Sequence, residues 1–362
     1  MSRQPRPRPQ GQRAKPRALA APAVLPVVIA AVTAIGLAAH GLAAAEPAAG
    51  VEAAWRALFQ REALPPAPPD NPMSAAKVAL GQRLFEDPRL SAGQRSCASC
   101  HRPQRAFSDG RRRALGLNGA PLARNTPPLW NLAWSRHYFW DGRAPSLEAQ
   151  VVMPIAAADE MGGVWPEILP RLNADRDLVA AFAAVFPADP AISEGTIARA
   201  LATYVRSLVS PNTRFDAWIA GDGAALTPSE VHGFRIFTGK GGCVLCHVGW
   251  RFTDDRFHDI GLPGHDPGRG AVSGGAPGLP AFKTPSLREA THTAPYMHDG
   301  SLPSLAAVVK HYAGGFRRRP SLAPNLRRGL KLSAGERADL IGFLKTLSSD
   351  GDPARPRQAG RR

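Results

Sequence analysis

Cys97-Ala98-Ser99-Cys100-His101 and Cys243-Val244-Leu245-Cys246-His247 decide the reading of this 362-residue chain, and together they use all four of its cysteines. Two thiols separated by two residues can add to the two vinyl groups of a haem, and a histidine directly behind the second thiol can then reach the iron. A zinc site also pairs cysteines at this spacing, but it gives no reason for histidine to follow the second cysteine twice. A thioredoxin-like redox site expects a βαβ setting and needs one pair. Four cysteines in a chain of this length are too sparse for a disulfide scaffold. The motifs therefore predict two covalently bound c-type haems on Cys97, Cys100, Cys243 and Cys246, with His101 and His247 as iron ligands.

Outward from the motifs the pattern repeats. Gly81-Gln82-Arg83-Leu84-Phe85 precedes the first cysteine pair, and Gly233-Phe234-Arg235-Ile236-Phe237 precedes the second. Two similar domains account for this, with a boundary near residues 211–226, where Pro211, Gly221 and Gly223 lie. Apolar residues at helical spacing predict helices over 51–64, 74–85, 165–184, 194–210, 227–238, 303–313 and 333–348. Two of these open with capping boxes, Thr227 with Glu230 and Ser333 with Glu336. Glycine, proline and arginine dominate 87–145, and strand signals are scarce. The fold class expected is mainly α: two cytochrome c-like haem domains with long irregular loops. The segments read as a leader (1–45), an N-terminal helix and Pro-rich linker (46–70), a first haem domain (71–215), a second (216–349) and a disordered basic tail (350–362).

Lys and Arg number 45 against 29 Asp and Glu, a formal charge of +16. Six of those charges stand in the first seventeen residues, ahead of an apolar run from Ala18 to Ala39 and the small residues Ala43-Ala44-Ala45. A basic start, an apolar middle and a small-x-small site make a secretory signal peptide; if uncleaved, the run is long enough to anchor the chain in a membrane. Export to the periplasm is expected either way. Removing the leader's +6 and the tail's +2 leaves +8 for residues 46–349. No basic stripe interleaved with aromatics accompanies it, so nucleic acid is excluded as a partner.

The residues resemble the bacterial di-haem cytochrome c peroxidase and MauG superfamily from about Leu80 to Leu347. The resemblance rests on Leu80–Phe85, Arg124-Asn125-Thr126-Pro127, Phe139-Trp140-Asp141-Gly142-Arg143-Ala144, Pro154-Ile155 with Glu160-Met161, and Ala294–Ser301, in that order. It implies an oxidoreductase that reacts with hydrogen peroxide at the first haem and draws electrons through the second. It makes Glu160 the distal carboxylate that moves the peroxide proton, with Gln150 and Pro154 beside it, and Trp140 the aromatic between the haems. It also implies a calcium ion held by Asn125, Thr293 and Pro295, the last two through backbone carbonyls.

Two departures from the peroxidase branch lean toward the MauG-like one. The loop Leu115-Gly116-Leu117-Asn118-Gly119-Ala120-Pro121 has no histidine to cap the first haem, so its distal side is expected to be open. Fourteen residues beyond His298, where the peroxidase branch has Met, stands Tyr312. A phenolate ligand there stabilises high oxidation states of iron; Met297 and His311 are the alternative ligands of the second haem. The electron source is either a small redox protein, a cytochrome c or cupredoxin, or the residues of a protein substrate. A non-catalytic di-haem electron carrier is the rival from another class.

Overall fold

A computed structural model describes residues 49–272, 279–351 and 354. The leader and most of the basic tail lie outside the described residues. Helix α1 (Ala49–Phe59) comes first, then α2 (Ala75–Glu86), the one-turn α3 (Cys97–Cys100), α4 (Leu147–Ala156), α5 (Trp165–Asn173), α6 (Arg176–Val185) and α7 (Glu194–Ser207). The second half holds α8 (Arg214–Ile219), α9 (Pro228–Thr238), α10 (Leu305–Lys310) and α11 (Ala334–Lys345). The only strand pair among the described residues is β1 (Phe257–His258) against β2 (Phe282–Lys283), antiparallel with Phe257 opposite Lys283.

The protein is mainly helical, as its sequence predicts, and both capping boxes form: Thr227 caps α9 and Ser333 caps α11. Three local readings differ. The helix expected over 165–184 is broken in two, because the Asp175 side chain accepts from Leu178 N–H at 3.0 Å and starts α6 there. Helix α4 was hidden by its own composition, since Pro154 sits inside it. Helix α8 occupies the stretch read as a boundary; Thr213 and Asp216 cap it reciprocally.

Two hydrophobic cores organise these helices. One is built from side chains between Leu80 and Leu208, the other from Phe59 and side chains between Phe215 and Leu347. The repeated Gly-x-Arg-x-Phe stretch has a packing cause. Helix α2 crosses α7 so closely that a Cβ on Gly81 would lie 2.1 Å from the Ala200 carbonyl oxygen. Helix α9 crosses α11 in the same way, with a Gly233 Cβ meeting the Asp339 carbonyl oxygen at 2.1 Å. Glycine is the one residue that permits either crossing. Four residues further on, Phe85 and Phe237 are buried in their respective cores.

Helix α1 precedes the first core in sequence yet serves the second. The Phe59 ring stacks on Phe252 at 4.8 Å between centroids and meets Phe215 and Phe234 edge-on. No helix among the described residues is long and apolar enough to cross a membrane.

Candidate active site

Each Cys-x-x-Cys-His wraps through one tight turn. His101 N–H donates to the Cys97 carbonyl at 2.9 Å, and His247 N–H to the Cys243 carbonyl at 2.9 Å. The turn places both thiols and the imidazole together, and all four thiols are free of disulfides. Burial pushes both imidazoles down, toward the neutral form that ligates metal. Each is oriented identically: Nδ1 of His101 donates to the Phe107 carbonyl at 2.9 Å and Nδ1 of His247 to the Phe252 carbonyl at 2.8 Å. A ring fixed through Nδ1 presents Nε2 to a metal. Both acceptor residues have left-handed backbone, φ 61° and 55°. The sequence carries a signal for this that the cysteine spacing alone does not: Phe107-Ser108-Asp109 and Phe252-Thr253-Asp254 repeat behind the two histidines.

A cavity of about 980 Å³ opens at the first motif, at the upper end of the range for cofactor sites. Cys97, Cys100 and His101 line it together with Trp140, Gln150 and Glu160, residues up to 63 positions apart in sequence. Volume, thiols and oriented imidazole fit a covalently bound haem. Gln150 reaches the cavity from α4. Past the end of α4 the chain turns back sharply, Gly162 N–H donating to the Ala157 carbonyl at 2.8 Å and Gly163 N–H to Ile155 at 2.7 Å. That reversal carries Glu160 to the wall. Burial raises the Glu160 carboxyl above the usual carboxylate range, the Asp159 charge adds to this, and the Arg143 guanidinium opposes it. Arg143 is itself positioned by Asp141, at 3.0–3.1 Å, and lies over the Phe139 ring at 3.5 Å.

The loop 115–121 closes on itself, with Gly116 N–H donating to the Ala120 carbonyl and Leu122 N–H to Ala114, both at 2.7 Å. Leu117 N–H donates to the Asp159 carbonyl at 2.9 Å, fastening this loop to the one that holds Glu160. Leu115 of this loop and Leu122 just after it line the cavity, both apolar. His137 also reaches the cavity, where its ring packs against Phe257 at 5.5 Å.

Trp140 is tied to both halves: its Nε1–H donates to the Asn125 carbonyl at 2.9 Å, and its carbonyl accepts from Lys283 N–H at 2.8 Å. Asn125 N–H in turn donates to the His298 carbonyl at 2.8 Å, which brings the Thr293–His298 stretch alongside it. Among the described residues, Asn125 Oδ1 and the carbonyl oxygens of Thr293 and Pro295 accept no hydrogen bond. Such uncommitted oxygens are the donor chemistry that suits Ca²⁺.

At the second motif, Tyr312 lies in a wide turn after α10, spanning His311–Gly315. Burial raises its phenol, and the nearby Cys246 and Cys243 thiols raise it further, so the ring is in the electrostatic reach of that cysteine pair. His311 is committed elsewhere, with Nε2 at 2.8 Å from the Ile260 carbonyl. Met297 sits at the corner of the Tyr296–Leu302 turn with φ 76°, its carbonyl accepting from Gly300 N–H.

A sequence profile described as di-haem cytochrome c peroxidase matches residues 75–224. The methylamine utilization protein MauG of Methylorubrum extorquens is 47% identical over 304 residues, 82% of this chain and 85% of that protein. The cytochrome c peroxidase of Escherichia coli is 33% identical, over 80% of this chain and 62% of its own length. The crystal structure of a MauG-like protein associated with microbial copper homeostasis superposes with a TM-score of 0.74 at 34% identity, covering 82% of this chain and 96% of that one.

Proposed function

This chain belongs to the di-haem cytochrome c peroxidase and MauG family and is a di-haem peroxidase-type oxidoreductase, and from that premise we propose that it works as a MauG-like enzyme on an open first haem. The haems, held by Cys97, Cys100, Cys243 and Cys246 and ligated by His101 and His247, supply the iron that exchanges electrons with peroxide. The observation that carries the reading is the wall of the first cavity, which Glu160 lines together with Leu115 and Leu122 while the loop 115–121 offers no imidazole.

Glu160 takes the proton from one peroxide oxygen and delivers it to the leaving oxygen. Desolvation and the Asp159 charge favour the neutral carboxyl, and the Arg143 charge opposes them by favouring the anion that accepts that proton. Gln150 supplies an amide that can hold peroxide by hydrogen bonds without taking a proton. Leu115 and Leu122 contribute no ligand and no competing base. Trp140, bonded to backbone on both sides, offers the π-system between residues 71–215 and 216–349, the two haem domains of this reading. Tyr312, buried near Cys243 and Cys246, would give the iron of the second haem a phenol oxygen. Asn125, Thr293 and Pro295 hold a calcium ion at the junction that carries Trp140.

Export fits the chemistry, because haem is joined to such motifs outside the cytoplasm; the leader directs the chain to the periplasm. The electrons come from a protein substrate or a small redox protein. Tyr312 in place of Met favours the former, since a phenolate lowers the potential that would suit a simple electron donor. The resting ferric protein is expected to give one high-spin and one low-spin haem by EPR. Two low-spin centres would remove the open-site reading and favour the electron carrier.

A further inference from the structure

Lys283 is a buried cation whose ammonium makes no hydrogen bond among the described residues. Strand β2 brings it into the wall of the cavity that opens at Cys97, Cys100 and His101. Its backbone is fixed there, Lys283 N–H donating to the Trp140 carbonyl at 2.8 Å and Thr284 N–H to the Arg256 carbonyl at 2.9 Å. The side chain is 12% exposed. Asp255 Oδ1 stands 3.8 Å from Nζ, close enough for attraction and too far for a hydrogen bond. That oxygen is also buried and without a hydrogen-bond partner.

The charges that act on Lys283 are Asp255, Arg251 and Asp254. Burial pushes its ammonium pKa down; Asp255 and Asp254 act against this and Arg251 with it. Both carboxylates are engaged elsewhere. Asp255 Oδ2 holds the Arg251 guanidinium, which also donates to Ser135 Oγ at 3.1 Å and to the Trp134 carbonyl at 3.2 Å. Asp254 holds His258 Nε2 at 2.8 Å. The rest of the wall repeats the imbalance, with seven Arg and Lys side chains lining the cavity against four carboxylates. Arg124 and Arg143 share Asp141, Arg124 also takes Asp266, and Arg288 is held by Asp216. Arg95 and Arg113 form no ion pair among the described residues, but Arg113 is exposed and Arg95 half-exposed and donating to the Leu115 carbonyl at 2.8 Å. Lys283 is thus the cation of this wall that has neither water nor a hydrogen-bonded partner. A charge in that position is costly, and buried charges are ordinarily paired and hydrogen-bonded. Haem carries two propionate carboxylates besides the vinyl groups that the cysteines take up.

We propose that Lys283 binds a propionate carboxylate of the haem in this cavity, so that a residue of the second half of the chain holds a cofactor attached through the first. The ammonium donates to the carboxylate oxygens and offsets their charge. A cation held beside the iron favours its reduced state, so removing it lowers the potential. The assignment rests on the reading of this cavity as a haem site and adds to it the group that anchors the far edge of the macrocycle.

The test compares the haem-loaded protein with three variants, each carrying haem isotope-labelled at its carboxylates, by infrared difference spectroscopy and redox titration. Lys283→Met keeps the length of the side chain without its charge. It is expected to shift a labelled carboxylate band and to lower the potential of the haem in the cavity. Lys283→Arg restores the cation and is expected to return both toward the unmutated values, which a mere packing role would not require. Should Lys283→Met fail to take up haem, Lys283→Gln, which keeps a donor without the charge, is expected to give the same band shift. Labelled bands that stay in place on loss of the charge, or a potential that rises, overturn the assignment and leave only a water between Lys283 and Asp255. Absence of haem from the peptide that holds Cys97 and Cys100, read by mass after digestion, overturns the reading of the cavity together with it.

Discussion

Glu160→Gln is the substitution that tests the site most directly. It preserves the size of the side chain and one hydrogen-bonding oxygen but removes the capacity to hold and release a proton. General acid–base groups contribute about 10²–10⁴-fold to rate, about 3–5 kcal/mol of barrier at about 1.4 kcal/mol per decade. The second-order reaction of peroxide with the ferric protein, followed by stopped-flow absorption, is expected to slow by that factor with both haems retained. The structure adds a pH signature. Burial and Asp159 hold the Glu160 carboxyl above the ordinary range and Arg143 pulls it back down. The protonated acid cannot accept the peroxide proton, so the rate falls as pH drops through this raised value. Arg143→Gln removes the charge that favours the anion and shifts the inflection to higher pH. Arg143 lines the cavity but is held by Asp141 and lies over the Phe139 ring, and it is not one of the groups that hold the haem, so that substitution is expected to leave haem loading unchanged. A Glu160→Gln protein reacting at the unmutated rate would refute the assignment of Glu160. An inflection that moved to lower pH in Arg143→Gln would refute the electrostatic reasoning.

Leu115→His places an imidazole on the wall where the resemblance to peroxidases leads one to look for it. It is expected to convert the high-spin ferric signal to low-spin and to slow peroxide binding, and an unchanged EPR spectrum would show that the loop cannot reach the iron. Tyr312→Met is expected to raise the potential of the second haem in a redox titration; an unchanged potential and spectrum would take Tyr312 out of the coordination sphere. Arg288→Leu removes the bonds of 2.7 and 2.9 Å by which Arg288 holds the buried Asp216 carboxylate, leaving it Arg61 at 3.2 Å and Thr213. Breaking such a buried pair costs about 3–5 kcal/mol, read as a lowered denaturation midpoint. The intact protein keeps the contribution of Asp216 above the unfolded carboxyl value of about 3.9 and loses it as pH falls through the depressed folded value, Arg288 and Arg61 opposing the effect of burial.

Much of the site is legible in one dimension because covalent haem attachment is a local event. Cys97, Cys100 and His101 lie within one turn, so their spacing alone states their chemistry, and the same holds for Cys243, Cys246 and His247. The Gly81 and Gly233 repeat is legible as a repeat, but its cause is not: only the crossings of α2 with α7 and of α9 with α11 reveal why a side chain is forbidden there. Helix α4 escaped notice because Pro154 opposes helix by local propensity, while burial of Val151 and Ile155 in the first core sustains it. The orientation of the two imidazoles is legible only as the repeat of Phe107-Ser108-Asp109 in Phe252-Thr253-Asp254; that the Phe carbonyls are the acceptors appears only in the fold.

By itself, the sequence carried the two Cys-x-x-Cys-His motifs, the helical class and the kinship on which Glu160 and Tyr312 were singled out, because these depend on short spacings and ordered motifs. The tertiary structure alone decided which distant groups share an environment. It brought Glu160 into one cavity with His101 under the opposing influence of Arg143, bonded His311 Nε2 to the Ile260 carbonyl, and set Trp134 against Trp250. Charge and desolvation act through space over a few ångströms, and residues 116 positions apart along the chain become neighbours only when it folds.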